Sequence, residues 1–322
     1  MSNKSAQQKK NRSVEALQEE QQTKTIPQTH HKKSIKRRIF EGLQHWSWLT
    51  PSLIGVLIFF VIPFVVVIYY SVLDNPIFSN FVGLENYAKL LKNEAFLRAS
   101  KNTAIFSGIA VPLSVVLSLW MAFALNSNIP AKSWIRSCFL CPLMVPIASV
   151  VMVWQVIFHY HGTLNQVTAL FGAEPIDWLK TSWTYGVLTI MFLWKTLGYN
   201  MILFMSAIAG IPRDIVEVAQ LEGANSFYTF LHIKLRYLSP TILFVTLLSV
   251  ISSFKMFREV YLLTGDYPFE SMYLLQHFMN NTFNSMDYQK LSSAAVLLSL
   301  VMIVIIGILF LIERKYGEDV EE

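Results

Sequence analysis

The chain has 322 residues, 53% of them hydrophobic, 14% aromatic and only 15% charged, with a mean hydropathy of +0.43. Average usage places about a quarter of residues in the charged set, so a water-soluble domain of this length is excluded and apolar runs that cross hydrocarbon are required. The net charge of +5 and the two cysteines exclude an acidic chain and a disulfide-built scaffold.

Residues 1–46 form a first region of different character. They are rich in Gln, Lys, Ser and Thr and carry ten of the 26 basic residues. Such a segment buries too little surface to offset its ordering entropy, so it reads as a disordered tail. The run His31-Lys32-Lys33-Ser34-Ile35-Lys36-Arg37-Arg38 precedes a hydrophobic stretch longer than a signal-peptide core. Attraction to anionic membrane lipid explains it more simply than nucleic-acid binding.

Six apolar runs follow, near Trp48–Leu73, Thr103–Leu125, Trp134–Phe158, Trp183–Ala209, Leu238–Leu263 and Leu291–Ile312. Each reaches the ~20 residues a helix needs to span the bilayer. Together they predict an all-α membrane domain of six transmembrane helices over residues 47–315. Residues 316–322 form a short acidic C-terminal tail. With the tail included, 17 Lys and Arg fall on one side and six on the other, a contrast that rests mainly on the tail and predicts cytoplasmic termini. External loops then fall near residues 74–101, 159–182 and 264–290.

Cys138 and Cys141 lie one turn apart inside the third run and read as small apolar side chains rather than a redox pair. His159-Tyr160-His161 offers two metal-capable rings in an external loop with no third ligand, so no metal site is expected.

Between the fourth and fifth runs, residues 211–235 change character again. Pro212 suits a helix start, with Asp214 and Glu217 near the positive end. Ile215, Val216, Ala219 and Gln220 are expected on one face. Gly223 permits a left-handed residue or a close approach that ends the first helix. A second short helix is expected from Ser226 to Leu235. The result is a helix–glycine–helix module over about residues 210–237.

This module resembles the EAA loop of the permease subunits of binding-protein-dependent ABC importers, with the pattern E-A-A-x3-G-x9-I-x-L-P. Glu217, Ala219, Gly223, Ile233 and Leu235 stand at the family spacing, whereas Val218 replaces an alanine and Arg236 a proline. Two further stretches resemble the carbohydrate-uptake branch of that family. One is Phe81-Val82-Gly83-Leu84-Glu85-Asn86-Tyr87 followed by Asn102-Thr103. The other is Phe257-Arg258-Glu259-Val260-Tyr261-Leu262-Leu263-Thr264-Gly265, in which Arg258 replaces an aspartate. The resemblance implies a type I ABC importer transmembrane domain in the bacterial inner membrane. It also implies that the five module residues couple to a separate ATPase. The implied partners are a second permease subunit, two ATPase subunits, an extracellular solute-binding protein and an oligosaccharide. The chain has no G-x4-G-K-[ST] phosphate loop, so ATP and Mg are expected on the partner, with no cofactor on this chain and no catalytic residue.

Charges within the runs mark candidate pathway residues, because an intramembrane charge is costly unless it faces protein or water. Lys195 lies near the middle of the fourth run, with Tyr199 and Asn200 nearby as candidates for sugar contact. Lys255, Arg258 and Glu259 lie in the fifth. Ser252, Lys255, Glu259 and Leu262 would share a stripe, with Lys255 and Glu259 paired four residues apart. Three cations against one carboxylate favour an acidic, uronate-type oligosaccharide. An ion-coupled secondary transporter is the alternative, although no repeat relates residues 47–158 to 183–312. A membrane enzyme would need paired carboxylates or a histidine cluster at one depth, which the runs do not supply.

Overall fold

The computed structural model describes residues 49–75, 80–127 and 129–317. The basic tail over 1–46 and the acidic end over 318–322 lie outside the described residues. The chain divides into two compact units at Pro63/Phe64. In the first unit the described residues are helical, with a π turn at Leu57–Val61 directly ahead of Pro63. A proline lacks the N–H that the preceding turn would use, and a π bulge is one way for a helix to absorb that loss.

The second unit is helical apart from one isolated antiparallel bridge, Leu73 to Phe81, among the described residues. Six stretches are long and apolar enough to cross a membrane: Leu49–Ser71 (α1), Glu94–Asn126, Ile147–Ala169, Thr184–Ala209, Ser239–Thr264 and Tyr288–Lys315. The short helix Glu85–Leu90 (α2) precedes the long helix Glu94–Asn126 (α3), which Asn93 caps by accepting from the Phe96 N–H. Four of the six stretches match the expected runs closely, and two are interrupted.

The third run is two helices, Lys132–Met144 (α4) and Ile147–Phe158 (α5), separated at Val145-Pro146. Val145 is extended (φ −90°, ψ 131°) because the ring of the following proline disfavours the helical region. After a turn at residues 159–162, Thr163–Ala169 (α6) continues the apolar stretch. Asn165 organises the loop beyond it. Its amide donates to the Tyr160 and Ile176 carbonyls and its Oδ1 accepts from Trp178 Nε1 at 2.8 Å.

Helix Thr184–Ala209 (α7) packs along α3 and forms the centre of the unit. Phe106 and Phe192 meet edge to face with ring centres 5.7 Å apart, the geometry favoured by the ring quadrupoles. Gly198 brings α7 against α4: a Cβ there would lie 1.8 Å from the Phe139 carbonyl oxygen. Between these helices, small polar residues supply hydrogen bonds where lipid cannot. Asn200 donates to Ser114 Oγ at 3.1 Å and Ser249 Oγ at 3.0 Å, and Ser114 also bonds Thr196.

The fifth run breaks as well. Ser239–Phe254 (α11) ends at Lys255, and Phe257–Thr264 (α12) begins after Met256. Helix Leu275–Asn284 (α13) and the closing helix Tyr288–Gly317 (α14) complete the unit. Three shorter helices, Arg213–Leu221 (α8), Ser226–Tyr228 (α9) and Leu235–Tyr237 (α10), connect α7 to α11.

Candidate functional site

The module between α7 and α11 builds as the residue pattern requires. Pro212 caps Arg213–Leu221 (α8), and Asp214 lies in the first turn. Gly223 has φ +87°, with nothing within 4 Å of where its Cβ would be. Of the two expected reasons for glycine, the left-handed backbone is therefore the one acting within this chain. The Gly223 N–H donates to Gln220 O and the Ala224 N–H to Ala219 O, which satisfies two carbonyls at the end of α8 in a Schellman arrangement. Asn225 then caps Ser226–Tyr228 (α9) by accepting from the Tyr228 N–H at 2.7 Å. A π turn at Thr229–Lys234 leads through Leu235–Tyr237 (α10) into α11.

The apolar faces divide differently from the expected one. Val216 and Ala219 are half-buried, whereas Ile215, Val218 and Leu221 are exposed. Leu221 is 88% exposed, and Phe227 at 72%, Tyr228 and Leu231 continue the surface onto the second half of the module. The module is otherwise studded with Arg213, Asp214, Glu217, Glu222, His232 and Lys234, so it is not a lipid-facing surface. An exposed apolar patch rimmed by charge marks a protein interaction surface. Of the residues placed at the family spacing, Glu217 is exposed, and Ala219, Ile233 and Leu235 are half-buried. Glu217 borders a cavity of about 460 Å³ with Arg213, Val216, Gln220 and Lys234. Ala219, Ile233 and Leu235 border a neighbouring one of about 680 Å³ that reaches Ser239 and Lys315.

The charged residues within the spans regroup. Lys195 Nζ donates to Glu259 Oε1, so Glu259 pairs across to α7 and not with Lys255. The helix break at Lys255-Met256 is the reason: it removes the i,i+4 stacking that a continuous helix would impose. Glu259 is 4% exposed, and its second oxygen, Oε2, is buried without a partner among the described residues. Lys255 and Arg258 are exposed and pair with no described carboxylate. Tyr199 lies one turn from Lys195 and is exposed. Asn200 points the other way. It is buried and its amide is spent on Ser114 and Ser249, so the expected sugar contact is instead a tie between three helices.

Two aromatic residues stand beside Lys195. Trp154 of α5 and Trp194 of α7 meet edge to face at 5.9 Å, and Trp154 stacks on Phe158 at 5.3 Å. Their signal was present as aromatics on runs flanking a proline break, but neighbourhood across helices is not encoded in spacing. Gln155 donates to the Leu262 and Leu263 carbonyls and fixes α5 against α12.

At the opposite end of the unit, Asn102 pins an extended connection. Its amide donates to the Glu270 and Tyr273 carbonyls, and its Oδ1 accepts from Tyr185 Oη at 2.7 Å. His277 is buried there against Phe257 and Tyr273. Burial lowers its pKa to about 4, with Asp266 opposing the shift. Its Nδ1 accepts from the Leu274 N–H. Rings of His159 and His161 lie 6.0 Å apart, and no group of three metal-capable side chains forms among the described residues.

Known proteins share this architecture. The trehalose/maltose transport system permease protein of Thermococcus litoralis is 28% identical over 289 residues, covering 88% of this chain and 98% of that one. The multiple sugar-binding transport system permease protein of Streptococcus mutans is likewise 28% identical, with 88% and 99% covered. Among solved structures, a bacterial ABC transporter involved in import of the acidic polysaccharide alginate superposes with a TM-score of 0.75. That match has 20% identity and covers 87% of this chain and 98% of that one. The family described as the binding-protein-dependent transport system inner membrane component matches residues 114–317, a stretch that includes the in-span ion pair and the whole α8–α10 module. The chain therefore belongs to that family of membrane permease subunits.

Proposed function

We propose that this chain forms one half of the translocation pathway of an ATP-driven oligosaccharide importer and is driven by a separate ATPase gripping residues 211–237. The observation that carries the reading is the α8–Gly223–α9 module. It is a rigidly terminated helix whose apolar residues Val218, Leu221 and Phe227 nothing in the described chain covers. A helix presenting such a face fits a groove on a partner, and a charged rim sets its register. Glu217, Ala219, Gly223, Ile233 and Leu235 are the coupling residues. The relatives named for trehalose, maltose and multiple-sugar transport support an oligosaccharide as cargo.

The end bearing the module faces the cytoplasm in this reading, with both termini on that side. A second permease subunit completes the pathway. Two ATPase subunits hold the ATP and Mg, and this chain binds no cofactor of its own. A solute-binding protein docks at the other end, over the loops around residues 159–182 and 264–290. Lys195, Tyr199, Lys255, Arg258 and Glu259 border the pathway. The positive bias toward an acidic oligosaccharide now rests on Lys255 and Arg258, because Lys195 is neutralised by Glu259.

Gly223→Asp tests the coupling. In proteoliposomes holding the complete transporter, the variant is expected to lose transport and substrate-stimulated ATP hydrolysis while its helices remain inserted. Wild-type-like uptake by the variant, or uptake by the isolated chain without any ATPase, overturns the reading.

A further inference from the structure

The break in the third span is a structural cost that needs a reason. Val145 and Pro146 are extended within the third apolar run, and irregular backbone in a membrane segment is tolerated only when buried in protein or facing a watery cavity. A cavity of about 40 Å³ lies against the break, bordered by Pro142, Val145, Trp194, Lys195 and Glu259. Beside it, sharing Val145, Val150, Trp154 and Trp194, a groove of about 340 Å³ opens past Ser149. The smaller space holds a water-sized group, and the larger falls within the ~300–1,000 Å³ range of ligand sites.

Glu259 gives the cavity its chemistry. One carboxylate oxygen is held by Lys195. The other, Oε2, is buried without a hydrogen-bond partner among the described residues on a side chain that borders the cavity. A buried carboxylate oxygen left unmatched costs free energy, so a donor arriving with a ligand is strongly favoured. The ion pair cancels its own charge, and so the site suits a neutral hydroxyl rather than a cation or an anion. The indoles of Trp154 and Trp194, 5.9 Å apart, supply apolar surface beside it for the C–H face of a ring.

We infer that the Trp154–Trp194 groove and the adjoining small cavity that Glu259 borders form a sugar-ring subsite, in which a neutral ring packs on indole and one hydroxyl donates to Glu259. Lys195 is the positioning residue, holding the carboxylate through its other oxygen, Oε1. This assignment rests on the oligosaccharide reading and narrows it. Ring recognition occurs at the internally neutralised Lys195–Glu259 pair, whereas Lys255 and Arg258 are exposed and pair with no described carboxylate. An acidic sugar would place its carboxylate toward the latter and its neutral hydroxyls toward the former.

The test uses the complete transporter in proteoliposomes with its solute-binding protein, internal ATP, and maltotriose or trigalacturonate as radiolabelled probes. Glu259→Gln keeps the side-chain shape, Trp194→Phe keeps a ring, and Trp194→Ala removes it. For whichever probe the wild type moves, Glu259→Gln and Trp194→Ala are expected to raise KM about tenfold, the value of one charged hydrogen bond or one buried ring. Trp194→Phe should fall between. The swap Lys195→Glu with Glu259→Lys keeps an ion pair but moves the carboxylate from α12 to α7, and it is expected to leave KM raised. Wild-type KM in Glu259→Gln and Trp194→Ala, or in the swap, overturns the subsite and leaves the oligosaccharide reading standing. Failure of the wild type to move either probe overturns both.

Discussion

Lys195 and Glu259 join α7 to α12, the second half of a broken fifth span, through an ion pair whose carboxylate is almost wholly buried. The pair closes a crevice whose far wall is a second broken helix, so two proline- or turn-driven interruptions meet at one pair of charges. Removing one member of a buried pair strands the other, at a cost of about 3–5 kcal/mol, whereas replacing both with apolar groups is often tolerated. Lys195→Met alone is therefore expected to reduce the folded yield sharply, and Lys195→Met with Glu259→Leu to recover most of it. Thermal unfolding of the detergent-solubilised variants checks this. Equal losses in the single and double variants would contradict it.

Gly198 holds α4 against α7. A methyl group there would sit 1.8 Å from the Phe139 carbonyl oxygen, and a backbone atom cannot swing aside as a side-chain tip can. Gly198→Ala is expected to displace α4 and to destabilise by about 1–3 kcal/mol or more, the range for overpacking. A lowered unfolding temperature would verify it. Gly55→Ala, where nothing lies within 4 Å, is the matched control and should behave like wild type.

Asn102 spends all its side-chain capacity in one place, with two carbonyls on its amide and a phenol on its oxygen. Asn102→Ala removes three part-buried hydrogen bonds, and a loss of about 1–3 kcal/mol follows. The effect should be local. Hydrogen exchange is expected to quicken over residues 270–275 and to remain unchanged over residues 213–221. Uniform quickening would show a global role instead.

His277 carries the pH dependence of the opposite end. Its pKa is lowered by burial from an ordinary 6.5 to about 4, so the unfolded segment binds a proton more readily than the folded one. Stability from this group is complete above about pH 6.5 and is lost as pH falls toward 4, by about 3 kcal/mol in all. Lowering pH from 7 to 4.5 should thus loosen α13 in the wild type. In His277→Gln that part of the acid sensitivity should vanish, as read by hydrogen exchange over residues 275–284.

Much of the molecule was legible in the residue order. Apolar length located the spans, and Pro212 and Gly223 punctuated the connecting module where the backbone later turned. Val145 was readable in principle, since a residue before proline avoids the helical region, yet a continuous helix was expected because apolar length dominated the reading. The fate of Asn200 was not legible. Tyr199 and Asn200 are adjacent in sequence and nearly 100° apart around a helix, and only the packing of α3 and α11 decides which of them is buried.

The sequence alone determined the membrane class, the number of spans and the helix–glycine–helix module, because each depends on local length, composition or backbone geometry. The pairing of Lys195 with Glu259 in place of Lys255, the assembly of Trp154 with Trp194, and the close approach at Gly198 were decided only by the tertiary structure. Those contacts join residues on different helices, and the breaks in spans three and five reset the helical phase that any spacing argument extends.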